Sequence, residues 1–100
     1  MSNQKPAQMT NGRQEIQIAD SIPGAEYANL AQITHNKEEF QLFYINIAGV
    51  SGKVVSKIIT TPGHFKRLII AMQENLDNYE KKFGIVKEAE DIEKEIGFKA

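Results

Sequence analysis

The stretch "FQLFYINIAG" from Phe40 to Gly49 limits the fold more than any other part of the chain. It is dense in aromatic and β-branched residues, which suit the pleated surface of a strand. Side chains alternate across a strand, so Phe40, Leu42, Tyr44 and Ala48 fall on one face and Phe43, Ile45 and Ile47 on the other. Both faces are apolar. An antiparallel strand with one wet face would alternate apolar with polar instead. Each face therefore needs a cover, and a chain of 100 residues has little core to spare for two. The expectation is that a helix covers one face and a second copy of the chain covers the other.

The flanking residues supply the rest of a sheet. Ile16 and Ile18 alternate with Gln17, enough for a short edge strand before Pro23 and Gly24 break it. "YANLAQITHN" from Tyr27 to Asn36 reads as a second strand, and "HNKEE" is a polar connection of hairpin length. "GVSG" then turns the chain into "KVVSKIITT", a fourth strand in which Lys53, Lys57 and Thr61 share a face with Val55 and Ile59. Short connections favour an antiparallel meander.

From Thr61 the period becomes helical. Phe65, Leu68, Ile69, Met72, Leu76, Tyr79 and Phe83 lie within roughly 40° of one line at about 100° per residue, and Ile70 lies opposite. Thr61 suits the N-cap, Pro62 the first helical position and Gly84 the place after the last turn, while Lys81 and Lys82 complement the dipole at the C-terminal end. In the tail, Ile85, Ala89, Ile92 and Ile96 recur at helical spacing among charges, which suggests a short second helix that is marginal alone. The expected fold is α+β: a four-stranded antiparallel meander packed by one long amphipathic helix. Residues 1–12 form a disordered tail rich in Ser, Asn, Gln and Thr, residues 13–84 a single domain, and residues 85–100 a charged helical tail.

Composition removes several classes of function. The chain has no cysteine, which excludes disulfides, thiolate metal sites and thiol nucleophiles. A formal net charge of −1 gives no whole-molecule attraction for nucleic acid. No apolar run approaches the roughly 20 residues that span a bilayer, and "MSNQKPAQMTNGRQ" lacks the apolar centre of a secretory signal, so a cytoplasmic setting is expected.

"YANLAQITHNKEEF", "KVVSKIITTPGHFKRL" and "NLDNYEKKFG" together resemble a family of short bacterial and archaeal proteins catalogued as a domain of unknown function. Its members read Y-A-N, a strand pair, T-P-x-H-x-K-R-L, then Y-E-x-x-F-G, and the likeness covers roughly residues 14–86. Members often carry an acidic residue at the position of Leu42 and a proline in the following turn; this chain has neither. The resemblance implies shared motifs and no established activity.

Several groups invite a chemical reading. At the helix start, Thr61, Gly63, His64, Lys66 and Arg67 form a candidate anion or nucleic-acid site, to which Lys53 and Lys57 could add charge. The simpler reading is a capped strand-to-helix joint whose cations point into water. "GVSGKV" fails as a phosphate loop, because Ile47 stands where the first glycine belongs and Val54 where the hydroxyl belongs; its G-x-x-G also lies between strands rather than between the helices of a KH domain. His35, Glu38 and Glu39 offer three ligand types from one turn with no fourth in view, which reads better as a solvated hairpin. No nucleophile elbow is present, and no metal or cofactor is implied.

Phe43, Tyr44, Ile45 and Ile47 form a candidate interface. Four antiparallel strands followed by a long helix is the arrangement of SecB-type chaperones and, separately, of several single-strand nucleic-acid binders. The sequence therefore suggests a non-enzymatic homo-oligomer that binds protein or unfolded peptide. The alternative is a single-stranded nucleic-acid binder in which Phe43 or Tyr44 stacks bases beside the basic residues.

Overall fold

The computed structural model of the chain describes residues 14–91 and 96–97. Strands β1 (Leu30–His35), β2 (Phe40–Ala48) and β3 (Ser51–Thr60) form one antiparallel sheet in the order β1-β2-β3, and helix α1 (Pro62–Phe83) follows. The fold is α+β, with three strands in place of the expected four.

The expected edge strand at Ile16 and Ile18 does not form, and the two side chains stand 80% and 86% exposed. Two apolar residues that meet no sheet bury too little to offset the entropy of ordering a strand. Asp20 Oδ1 instead accepts the Ile22 N–H at 3.1 Å, a local turn that carries the chain into Pro23. The next strand begins at Leu30 rather than Tyr27. Residues 84–91 are not helical, while 92–95 and 98–100, where the rest of the expected second helix falls, lie outside the described residues, as does the N-terminal tail over 1–12.

Both hairpins have local causes. In the first, Asn36 Oδ1 accepts the N–H groups of Glu38 and Glu39 at 2.8 and 3.0 Å, while the Asn36 N–H donates to the Glu39 carbonyl. In the second, Ala48 pairs with Ser51 across a two-residue turn whose first residue, Gly49, sits at φ 64°, a conformation that glycine reaches without strain.

β2 is the central strand, and it carries the two buried apolar residues found among the described ones. Leu42 is 2% exposed and lies between Ile33 and Ile58; Ile45 is 5% exposed and lies between Leu30 and Val54. Their positions differ by an odd number, so each buries on its own side of the sheet. The double-sided pattern read from the sequence is thus real, with one buried anchor per face.

The β2–β3 register shifts between Tyr44 and Ile45: Tyr44 pairs with Ser56 but Ile45 with Val54, leaving Val55 as an extra residue. Such a bulge flips every side chain beyond it to the other face. Lys57 pairs with Phe43 on the Ile45 face, whereas Lys53 pairs with Asn46 on the Leu42 face. The expectation that Lys53, Lys57, Val55 and Ile59 share one face is therefore corrected, since that count assumed unbroken alternation.

α1 begins and ends as its sequence requires. Thr61 Oγ1 accepts the His64 N–H at 3.1 Å, and Pro62 occupies the first turn, where no N–H is needed. At the other end the Gly84 N–H donates to the Glu80 carbonyl at 2.9 Å with Gly84 at φ 103°. The packing differs from expectation. α1 does not lie along the sheet, and it contains no buried residue. Its first turn touches the sheet through Phe65, which stacks on Phe40 with ring centroids 4.1 Å apart and planes 6° from parallel. A single residue, Thr61, separates β3 from α1.

Candidate interaction surface

The fold leaves the apolar stripe of α1 open along most of its length. Ile69, Met72, Leu76, Tyr79 and Phe83 are 42–65% exposed, while Phe65 and Leu68 near the sheet are half-buried. Tyr79 and Phe83 form a tilted pair at 4.8 Å, and Lys82 Nζ sits 5.4 Å from the Phe83 ring, so the far end of the stripe is an aromatic cluster with a cation at its border.

The sheet adds a second open surface. On the Leu42 face, Ile33 and Ile58 are about half exposed, beside Phe40 and Tyr44; on the Ile45 face, Ile59 is 64% exposed, beside Phe43 and Ile47. Of the four candidate interface residues, Phe43, Ile45 and Ile47 share a face and Tyr44 lies on the other. Ile45 is buried, and the other three are half-buried. Lys57 Nζ lies 5.4 Å from the Phe43 ring centroid, so that ring is already covered in part by its own cation.

The basic candidates do not converge. The bulge separates Lys53 from Lys57, and His64, Lys66 and Arg67 are exposed around the first turn of α1. The four N–H positions there are largely spent: Pro62 has none, His64 donates to Thr61 Oγ1, and Phe65 donates to the Thr61 carbonyl. Gly63 retains its N–H, and a side chain at that position would meet no neighbouring group within 4 Å of its Cβ. One donor and scattered cations form a weak cradle for an anion. Among the described residues no three His, Asp or Glu side chains gather as metal ligands.

Other residues matter that periodicity alone did not single out. The Asn29 side chain pairs with the Ile47 backbone in both directions, Nδ2 donating to the carbonyl and Oδ1 accepting the N–H, each at 2.9 Å. Asn29 N–H also donates to the Ile45 carbonyl at 3.0 Å. This single residue continues the β1–β2 ladder past the end of β1. Glu80 Oε2 accepts the Val86 N–H at 2.9 Å, tying the chain after Gly84 back to the helix. Both residues lie in the Y-A-N and Y-E-x-x-F-G stretches, which was the signal available in the sequence.

The chain matches the family described as Protein of unknown function (DUF3467) over residues 1–91, and it belongs to that family. No curated protein and no solved structure matches it. No helix among the described residues is long and apolar enough to cross a membrane.

Proposed function

We propose that this member of the family is a non-enzymatic interaction module that works as a homo-oligomer and binds protein or unfolded peptide. One observation carries the reading: a 22-residue amphipathic helix has no fully buried residue, and its apolar stripe from Ile69 to Phe83 stays exposed within its own chain. Helices shorter or longer than this draw most of their stability from packing an amphipathic face, so an unpacked one points to a partner. The sheet supports the same reading, since each face buries one residue and leaves isoleucines open. The cytoplasm is the setting proposed for it, as the default for a chain whose lack of cysteine leaves the compartment unmarked. The SecB comparison loses a strand, as the sheet has three, and the proposal does not depend on it.

The test is gel filtration with light scattering, together with binding of a hydrophobic dye. An oligomer that takes up dye is expected. A monomer that binds none overturns the reading. Single-strand nucleic-acid binding is the weaker alternative, because the bulge places Lys53 and Lys57 on opposite faces. Salt-dependent binding of a labelled single strand would restore it.

A further inference from the structure

Within the oligomer just proposed, we infer that α1 pairs antiparallel with α1 of a second copy about a two-fold axis near Glu74. The inference rests on that reading of an oligomer and names its interface. Phe65, Ile69, Met72, Leu76, Tyr79 and Phe83 are spaced 4, 3, 4, 3 and 4 residues apart. That is the alternating spacing of a heptad seam, with Ile69, Leu76 and Phe83 at one kind of position and Phe65, Met72 and Tyr79 at the other. The same spacing suits a helix packed on a sheet, but here the chain's own sheet leaves the face uncovered beyond Leu68. Within the seam Ile69, Met72, Leu76, Tyr79 and Phe83 are exposed and Phe65 is half-buried.

Antiparallel pairing brings unlike positions together. Met72 meets Leu76 of the second copy, Ile69 meets Tyr79, and Phe65 meets Phe83, each contact occurring twice by symmetry. The Phe83 ring then arrives beside the Phe40–Phe65 stack, so the one place where α1 touches its own sheet becomes an end layer of the interface. Charge chooses the direction. The flanking positions on one side of the seam are Lys66, Gln73 and Glu80, and on the other Leu68, Asn75 and Lys82. Antiparallel helices set like flanks against each other, so Lys66 faces Glu80 of the second copy, Gln73 faces Gln73, Asn75 faces Asn75, and the stem of Lys82 lies against Leu68. Glu80 uses Oε2 for the Val86 N–H and keeps Oε1 for Lys66. A parallel pair would set Leu68 against Gln73 and Asn75 against Glu80, forming no ion pair across the seam.

The absence of native cysteine makes the geometry directly testable by disulfide trapping. The full chain is prepared as Gln73→Cys, as Lys66→Cys, as Ile70→Cys and as a mixture of Lys66→Cys with Glu80→Cys, all at exposed or half-buried sites. Under mild oxidation, Gln73→Cys and the mixture are expected to form covalent dimers at least tenfold more readily than Lys66→Cys or Ile70→Cys alone. Equal trapping of all four overturns the inference, as does strong trapping of Lys66→Cys alone. If light scattering shows a dimer that Gln73→Cys does not trap, the helix pairing falls while the oligomer stands; a monomer removes both.

Discussion

Asn29 grips Ile47 by both backbone groups, its amide N–H and carbonyl standing in for the residue that would continue β1. The contact spans 18 positions of sequence and fastens the segment before β1 to the far half of β2. Its replacement by alanine removes two hydrogen bonds worth about 0.5–1.5 kcal/mol each. Asn29→Ala should therefore lower the thermal midpoint by roughly 4–24 °C, since about 1 kcal/mol corresponds to some 4–8 °C in a domain this small. Asn29→Asp should not rescue it, because a carboxylate would face the Ile47 carbonyl. Thermal denaturation followed by circular dichroism decides this.

The ends of α1 make a second case. Thr61→Ala removes the cap on the His64 N–H and should cost about 1 kcal/mol, whereas Thr61→Ser should be nearly silent. Gly84→Ala should cost a similar amount, about 1–2 kcal/mol, by forcing a side chain onto a residue at φ 103°. Urea midpoints of the three variants against the parent chain provide the measurement.

On the helix face, Leu76→Asp places a charge at the middle of the exposed stripe, while Ile70→Asp places one on the opposite side. The first should shift the chain to monomer, with dye still bound by the open isoleucines of the sheet. The second should leave the assembly unchanged. Light scattering at several concentrations separates the two outcomes.

Charge reversal tests the direction of helix pairing. Lys66→Glu should weaken association about two- to fivefold, since two symmetry-related exposed pairs contribute only a few tenths of a kcal/mol each. Adding Glu80→Lys should recover most of that loss, although it also removes the bond to the Val86 N–H. Sedimentation equilibrium at low salt resolves differences of this size, and raising the salt should shrink them.

Lys57→Ala removes the cation beside Phe43 and should cost about 0.5–1 kcal/mol, while Lys53→Ala, on the other face beyond the bulge, should cost little. If both lysines served one nucleic-acid surface, the two variants would instead weaken single-strand binding equally.

Residues close in sequence settled much of this protein without help. The Asn36 turn, the Gly49 turn, the Thr61 cap and the Gly84 stop each depend on groups within a few positions of one another, so composition and spacing reveal them. The two apolar faces of β2 were equally legible, because alternation is a property of the strand alone. Three outcomes depended on distant partners. The segment around Ile16 and Ile18 has strand alternation but no sheet edge to join. Val55 interrupts the pairing of β3 with β2, and that register is chosen by contacts across the hairpin, which moved Lys53 away from Lys57. The stripe of α1 announced a buried face, yet periodicity says only that a face seeks cover; in the tertiary structure Phe65 meets Phe40 of the sheet, while Ile69, Met72, Leu76, Tyr79 and Phe83 stay exposed because little of the sheet approaches them.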